Sequence, residues 1–163
     1  MRGKLTVLVL VFAVGTISTF ATAAPAAAGR ATFVSGLQEP TSNPNVFQNS
    51  GSLIGTWTTT SFVVRNESYK DVYTLVGTGT ETFVGCLDTD RSGACDGNDP
   101  AGSIDFTFVF RGTWDLTTGA QLSGGCIHPV VGGTADFGRA RGILAYRDDV
   151  NTGTASYVGY LSY

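Results

Sequence analysis

The stretch Ile104-Asp105-Phe106-Thr107-Phe108-Val109-Phe110-Arg111 decides the fold class. Ile104, Phe106, Phe108 and Phe110 alternate with Asp105, Thr107, Val109 and Arg111. A period of two is the spacing of a β-strand, whose successive side chains leave opposite faces. One face of this strand is therefore apolar and the other mixed. The apolar face has two destinations: the lining of a barrel, or an outer surface packed beneath a loop.

The same composition continues outward from this strand. Gly, Thr and Val are abundant and Phe and Tyr frequent, while Met and Lys are scarce. β-Branched and aromatic side chains suit a pleated, half-buried surface, and glycine supplies turns and bulges. No stretch of twelve or more residues carries apolar spacing of three and four, so no long helix is expected. Upstream, Gly55 to Val64, Asp71 to Val76 and Thr78 to Val84 read as strands. Arg65 to Ser68 reads as a turn between the first two, and Gly77 as a break between the others. Downstream, Gln121 to His128, Gly142 to Arg147 and Ala155 to Tyr163 read as strands, with a hairpin turn over Asp148 to Gly153. Ala31 to Leu37 reads as a short first strand. Gln38 to Asn49, with Pro40, Asn43, Pro44 and Asn45, reads as a loop. About eight strands at short spacing predict an all-β domain, sandwich or barrel. A single antiparallel closed barrel leaves no exposed edge and is the expected architecture.

The first residues read differently. Arg2 and Lys4 precede an uncharged apolar run, Leu5 to Val14, and small residues follow from Ala21 to Ala28. The run is shorter than the ~20 residues that span a bilayer. Ala26-x-Ala28 and Ala21-x-Ala23 both fit the small-x-small rule of signal peptidase. The expected organisation is a signal peptide over 1–28, an N-terminal arm and loop over 29–50, and a β-barrel domain over 51–163. The expected location is secreted, with no stable membrane anchor after cleavage. The chain has 10 basic and 13 acidic residues; two of the basic ones lie before residue 29, which leaves the mature part at −5. That balance supplies no basic patch to neutralise phosphates, so nucleic acid is not an expected partner.

Late in the chain, His128-Pro129-Val130-Val131-Gly132-Gly133-Thr134-Ala135-Asp136-Phe137-Gly138-Arg139-Ala140-Arg141-Gly142 resembles the allene oxide cyclase and dirigent superfamily. Gly132, Gly133, Thr134, Phe137, Ala140 and Gly142 match its Gly-Gly-Thr-Gly-x-Phe-x-x-Ala-x-Gly segment; Ala135 stands where that segment has glycine. The resemblance implies an eight-stranded antiparallel barrel whose mouth handles apolar small molecules. No position here matches a catalytic residue of the family, so the motif implies architecture rather than chemistry. Physically, Gly132-Gly133 permits a tight turn, Phe137 can plug a barrel end, and Gly142 starts a strand without a Cβ clash.

Three groups of residues bear on chemistry. Asp88, Asp90, Ser92, Asp96 and Asp99 fall at positions one, three, five, nine and twelve of a twelve-residue calcium loop, with Gly93 at six. Asp99 reaches less far than the usual glutamate, and the flanks are extended, so the alternative is a solvated acidic loop. Cys86, Cys95 and Cys126 are three cysteines in an exported chain. Cys86 with Cys95 is the expected disulfide, closing about ten residues for about 2.7 kcal/mol of chain entropy; Cys86 with Cys126 competes. His128, the sole histidine, is either an acid, base or ligand-orienting group inside the barrel or a satisfied structural residue. Glu81 sits inside a Thr-rich strand and is expected to face water; facing inward, it would titrate abnormally. These two are the catalytic candidates.

The expected function is binding of an apolar small molecule, with Ile104, Phe106, Phe108, Phe110 and His128 lining the site and no cofactor required. Two alternatives stand beside it: a cyclase or isomerase in the same barrel, and an interaction module whose loop is stabilised by Ca²⁺. An inward cluster of His128, Glu81 and a tyrosine would favour the enzyme, an all-apolar interior the binder, and a filled interior the module.

Overall fold

The computed structural model describes residues 31–163, so the signal peptide and its cleavage site lie outside the described residues. Eight strands follow in order: β1 (Thr32–Pro40), β2 (Val46–Gly51), β3 (Leu53–Tyr69), β4 (Tyr73–Leu87), β5 (Ala101–Trp114), β6 (Gln121–Gly133), β7 (Arg141–Asp149) and β8 (Thr154–Ser162). Each pairs antiparallel with the next, and β8 returns to β1, where Val34 faces Gly159 and Gly36 faces Tyr157. The closed eight-stranded barrel expected from the sequence is the observed fold.

The strands themselves need three corrections. The barrel begins at Thr32 rather than Gly51, because 32–51 supplies β1 and β2 where an arm and loop were expected. Only Thr41 to Asn45 turns there. Pro40 ends β1, and the polar run Gln48-Asn49-Ser50 hides a strand whose Asn49 faces inward and donates to the Tyr146 hydroxyl at 3.2 Å. Gly77 does not break β4; it pairs with Val64 and Phe110, and its missing Cβ leaves room for the Phe62 ring, which a Cβ there would meet at 2.2 Å. Arg65 to Ser68 does not turn either. The β3–β4 ribbon runs on to Tyr69 and Tyr73, solvated along most of β3's far end, so polar side chains carry no signal to stop.

The interior divides along its length. Towards one end it is packed solid by Val34, Leu53, Phe83, Ile104, Leu144 and Leu161 around Trp57, Phe106 and Tyr157, all at most 1% exposed. Each such side chain contributes about 1.5–3 kcal/mol by leaving water. Phe137, on a short 3₁₀ turn (Ala135–Phe137) between β6 and β7, is fully buried in this cluster and meets Tyr163 edge-on at 5.7 Å. It closes the filled end as its place in the motif suggested. Gly142 has φ +155°, and a Cβ there would lie 2.1 Å from the Tyr160 carbonyl oxygen.

Ala135, the one departure from the motif, adopts φ +51°, a conformation that favours glycine. Relief of left-handed strain is worth about 1–2 kcal/mol, against about 0.4–1 kcal/mol for the freer unfolded chain. Ala135→Gly is expected to stabilise the barrel by about 0.5 kcal/mol, read as a higher urea midpoint. A lower midpoint would show that the backbone there is unstrained.

Candidate functional site

The other end of the barrel is open. A cavity of about 430 Å³ lies there, and Phe47, Phe62, Phe108 and Phe110 give it aromatic walls. Gln38, Asn45, Gln121, Asp148 and Asp149 line it as polar groups, while Thr59, Glu81, Cys126 and His128 also border it. Phe62 and Phe108 stack at 6.0 Å with 12° between planes, and Phe110 meets Phe62 at 69°.

The strand read first therefore serves both halves. Phe108 and Phe110 border the cavity, whereas Ile104 and Phe106 belong to the packed core and not to the cavity wall. The inward face was readable; where the interior changes from filled to open was not, because period two carries no depth.

Between the halves lies a buried polar cluster. His128, 2% exposed, places Nε2 at 2.7 Å from Glu81 Oε2. Trp57 Nε1 donates to the same oxygen at 2.6 Å, and Thr59 Oγ1 donates to Oε1 at 2.8 Å. Glu81 thus points inward, which corrects the expectation that it faces water. Its cross-strand position beside Thr59 and Phe106 puts it on the face that Trp57 occupies. Burial pushes its carboxyl up, but the hydrogen bond and charge of His128, with Trp57 and Thr59, outweigh burial and hold it below its ordinary value. The site therefore contains a buried carboxylate in its ionised form.

The His128 ring is gripped on several sides. It stacks on Phe108 at 5.6 Å and meets Tyr146 at 4.6 Å and Trp57 edge-on at 5.6 Å. Its Nδ1 is buried without a hydrogen-bond partner. Tyr146 completes the inward His–Glu–Tyr group, yet it packs with the core, and burial drives its hydroxyl well above the ordinary tyrosine value.

Cys126 borders the same cavity as His128, as two residues two apart on β6 should. Burial raises its thiol far above the ordinary range, and the charges of Glu81 and Asp148 act the same way. A thiolate nucleophile is disfavoured there.

Phe62 and Thr59 were not singled out from the sequence. Thr59 keeps parity with Trp57, but Phe62, five residues on, breaks it: a β-bulge between Thr59 and Ser61 resets the alternation and brings Trp57, Thr59 and Phe62 to one face. Asp148 and Asp149 read as turn residues but end β7 at the cavity rim.

The loop between β4 and β5 forms a separate feature. Cys86 and Cys95 are joined, nine residues apart, and Cys126 is free, as expected. Asp88, Asp90 and Asp99 each bring a carboxylate oxygen within 4.8 Å of the others, an arrangement that could hold a metal ion. Asp96 lies outside that trio and accepts from the Asn98 N–H, while Ser92 Oγ donates to the Ala94 carbonyl. The loop's own N–H groups already bind the acidic trio, Ser92 and Gly93 on Asp88 and Thr89 and Asp96 on Asp99. These bonds, the Thr89 backbone first, hold the Asp99 carboxyl below its ordinary value.

No protein-family model, curated protein or solved structure matches the chain.

Proposed function

We propose that this protein is a secreted β-barrel that binds an apolar small molecule at its open end. The observation that carries the reading is the aromatic-walled cavity of about 430 Å³ above a packed floor. Eight strands leave an interior just wide enough to be filled or to hold one small ligand; this barrel is filled in one half and open in the other. Apolar walls with a few placed polar groups are what small-molecule sites use. The resemblance of the Gly132–Gly142 segment to allene oxide cyclase and dirigent barrels supports the same reading. Secretion draws support from the N-terminal pattern and from the Cys86–Cys95 disulfide. Among the described residues no helix is long and apolar enough to cross a membrane.

Binding is tested with N-phenyl-1-naphthylamine, a neutral dye that brightens in apolar surroundings. The dye is expected to bind the wild type, and Phe108→Asp to weaken it at least about tenfold, or 1.4 kcal/mol. Phe110→Asp, at a half-buried position, is the companion should Phe108→Asp not fold. Unchanged affinity in a folded variant would mean that these aromatics do not line a binding site.

A second reading, a cyclase or isomerase, draws on the Glu81–His128 pair. Acid–base work needs a nitrogen within reach of the substrate. Here Nε2 is bound to Glu81 and Nδ1 is buried, so the resting pair offers a bound molecule no free imidazole nitrogen. The binding reading is therefore preferred.

The acidic loop is proposed to take up calcium weakly, with Kd of about 10⁻⁴–10⁻³ M. Calcium at tenfold above Kd adds about 1.4 kcal/mol. The melting temperature should rise with millimolar calcium, and Asp90→Ala with Asp88→Asn should abolish the rise. No calcium dependence would leave a loop held by its own backbone donors.

A further inference from the structure

Building on the binding reading above, we propose that the cavity selects an organic cation: an ammonium group carried on an aromatic or aliphatic body. Among the described residues the lining contains three carboxylates, Glu81, Asp148 and Asp149, and neither lysine nor arginine. His128 can neutralise one of them at most, and Glu81–His128 is the sole ion pair among the described residues. Asp148 accepts only a neutral donor, Gln121 Nε2 at 2.6 Å. Asp149 accepts the Asn151 N–H at 3.0 Å, and this bond and its Thr152 contacts hold its carboxyl below the ordinary value. Two carboxylates without a basic partner, the half-buried Asp148 and the exposed Asp149 at the rim, therefore border a space with aromatic walls.

The walls favour the same guest. Phe108 is stacked on both Phe62 and His128, and the other border rings, Phe47 and Phe110, lie outside those stacks. Aromatic faces carry negative quadrupole density and attract a cation held within about 6 Å of the ring centre. A concave site with low-dielectric walls concentrates the field of its rim charges. Cys126 borders the same space, where burial first and then the nearby charges of Glu81 and Asp148 push its thiol up. A fatty acid or other apolar anion meets repulsion in the same place, and a neutral guest gains only the apolar contacts.

The test compares two ligands on one skeleton, (2-naphthylmethyl)trimethylammonium and 2-naphthylacetate, each displacing N-phenyl-1-naphthylamine at low salt. The cation is expected to bind at least about tenfold more tightly than the anion. That advantage should shrink at high salt, as screening dictates. Asp148→Asn with Asp149→Asn should reduce the ratio to about threefold or less, while keeping the hydrogen bonds that a carbonyl oxygen can accept. Equal affinities, or tighter binding of the anion, would overturn the cation assignment while dye binding upholds the binding reading. A cation preference unaltered in the double variant would overturn it too, because the charges would lie elsewhere. Failure of the dye and both ions to bind would defeat the binding reading and this inference with it.

Discussion

His128→Ala is expected to lower the unfolding free energy by about 3–5 kcal/mol. The imidazole is the charge partner of a carboxylate that is itself only 8% exposed. Without it, Glu81 keeps the Trp57 and Thr59 bonds but loses its one potential counter-charge, and burial then favours the neutral acid. The loss should be read as a drop in the urea midpoint at neutral pH. Replacing both members, as in Glu81→Leu with His128→Leu, should cost less than the single change. No charge is then stranded, although the Trp57 N–H loses its acceptor for about 1–3 kcal/mol. A single variant within 1 kcal/mol of the wild type, against the ~3–5 expected, would show that the pair does not hold a charge.

The same carboxylate fixes the sign of an acid effect. Its pKa in the folded chain lies below the ordinary 4.5, so the unfolded chain binds the proton first. The stability it contributes is complete above the unfolded value and disappears as pH falls through the folded one. Asp99, Asp115 and Asp149 are also lowered, chiefly by backbone hydrogen bonds, and act in the same window. Glu81→Gln should therefore flatten the acid limb of the stability curve only in part. An unaltered limb would place the whole effect on the loop aspartates.

Which parts of this were legible in the sequence follows from what each signal encodes. Ile104 to Arg111 revealed a strand and its buried face because alternation is a local property. The motif from Gly132 to Gly142 revealed the turn that plugs one end, because Phe137 and Gly142 answer steric demands of that turn itself. Glu81 could not be placed by alternation. Thr-rich neighbours on both sides give the same pattern for either orientation, and only Trp57 and His128, 24 and 47 residues away, decide it. The number eight was right through two compensating differences: β4 read as two strands, and β2 was missed. The cavity was the least legible feature. It depends on where the aromatic filling stops, and that is set by a bulge in β3 and by the close approach of the Phe62 ring to Gly77, which no local spacing records.

Trp57 is the residue on which both halves of the interior depend, and Trp57→Ala is expected to cost about 3–5 kcal/mol. Its indole is fully buried, stacked on Phe106 at 4.5 Å and set against Phe83, Tyr146 and His128. Removing it forfeits those contacts and one of the three donors that hold Glu81. The void would form beneath Thr59, Glu81 and His128, which border the open cavity, so it should extend that cavity towards the core. Two readouts follow. Urea unfolding should show the loss, and the folded fraction should accept a longer apolar ligand than the wild type does. Trp57→Phe separates the contributions: it keeps most of the packing and loses the N–H, so the smaller cost of about 1–3 kcal/mol belongs to the one hydrogen bond that Glu81 loses. If Trp57→Phe were as damaging as Trp57→Ala, the hydrogen bond to Glu81 would outweigh the stacking. If neither variant changed the length of ligand accepted, the packed floor and the cavity would be independent, and the indole would not be the wall between them.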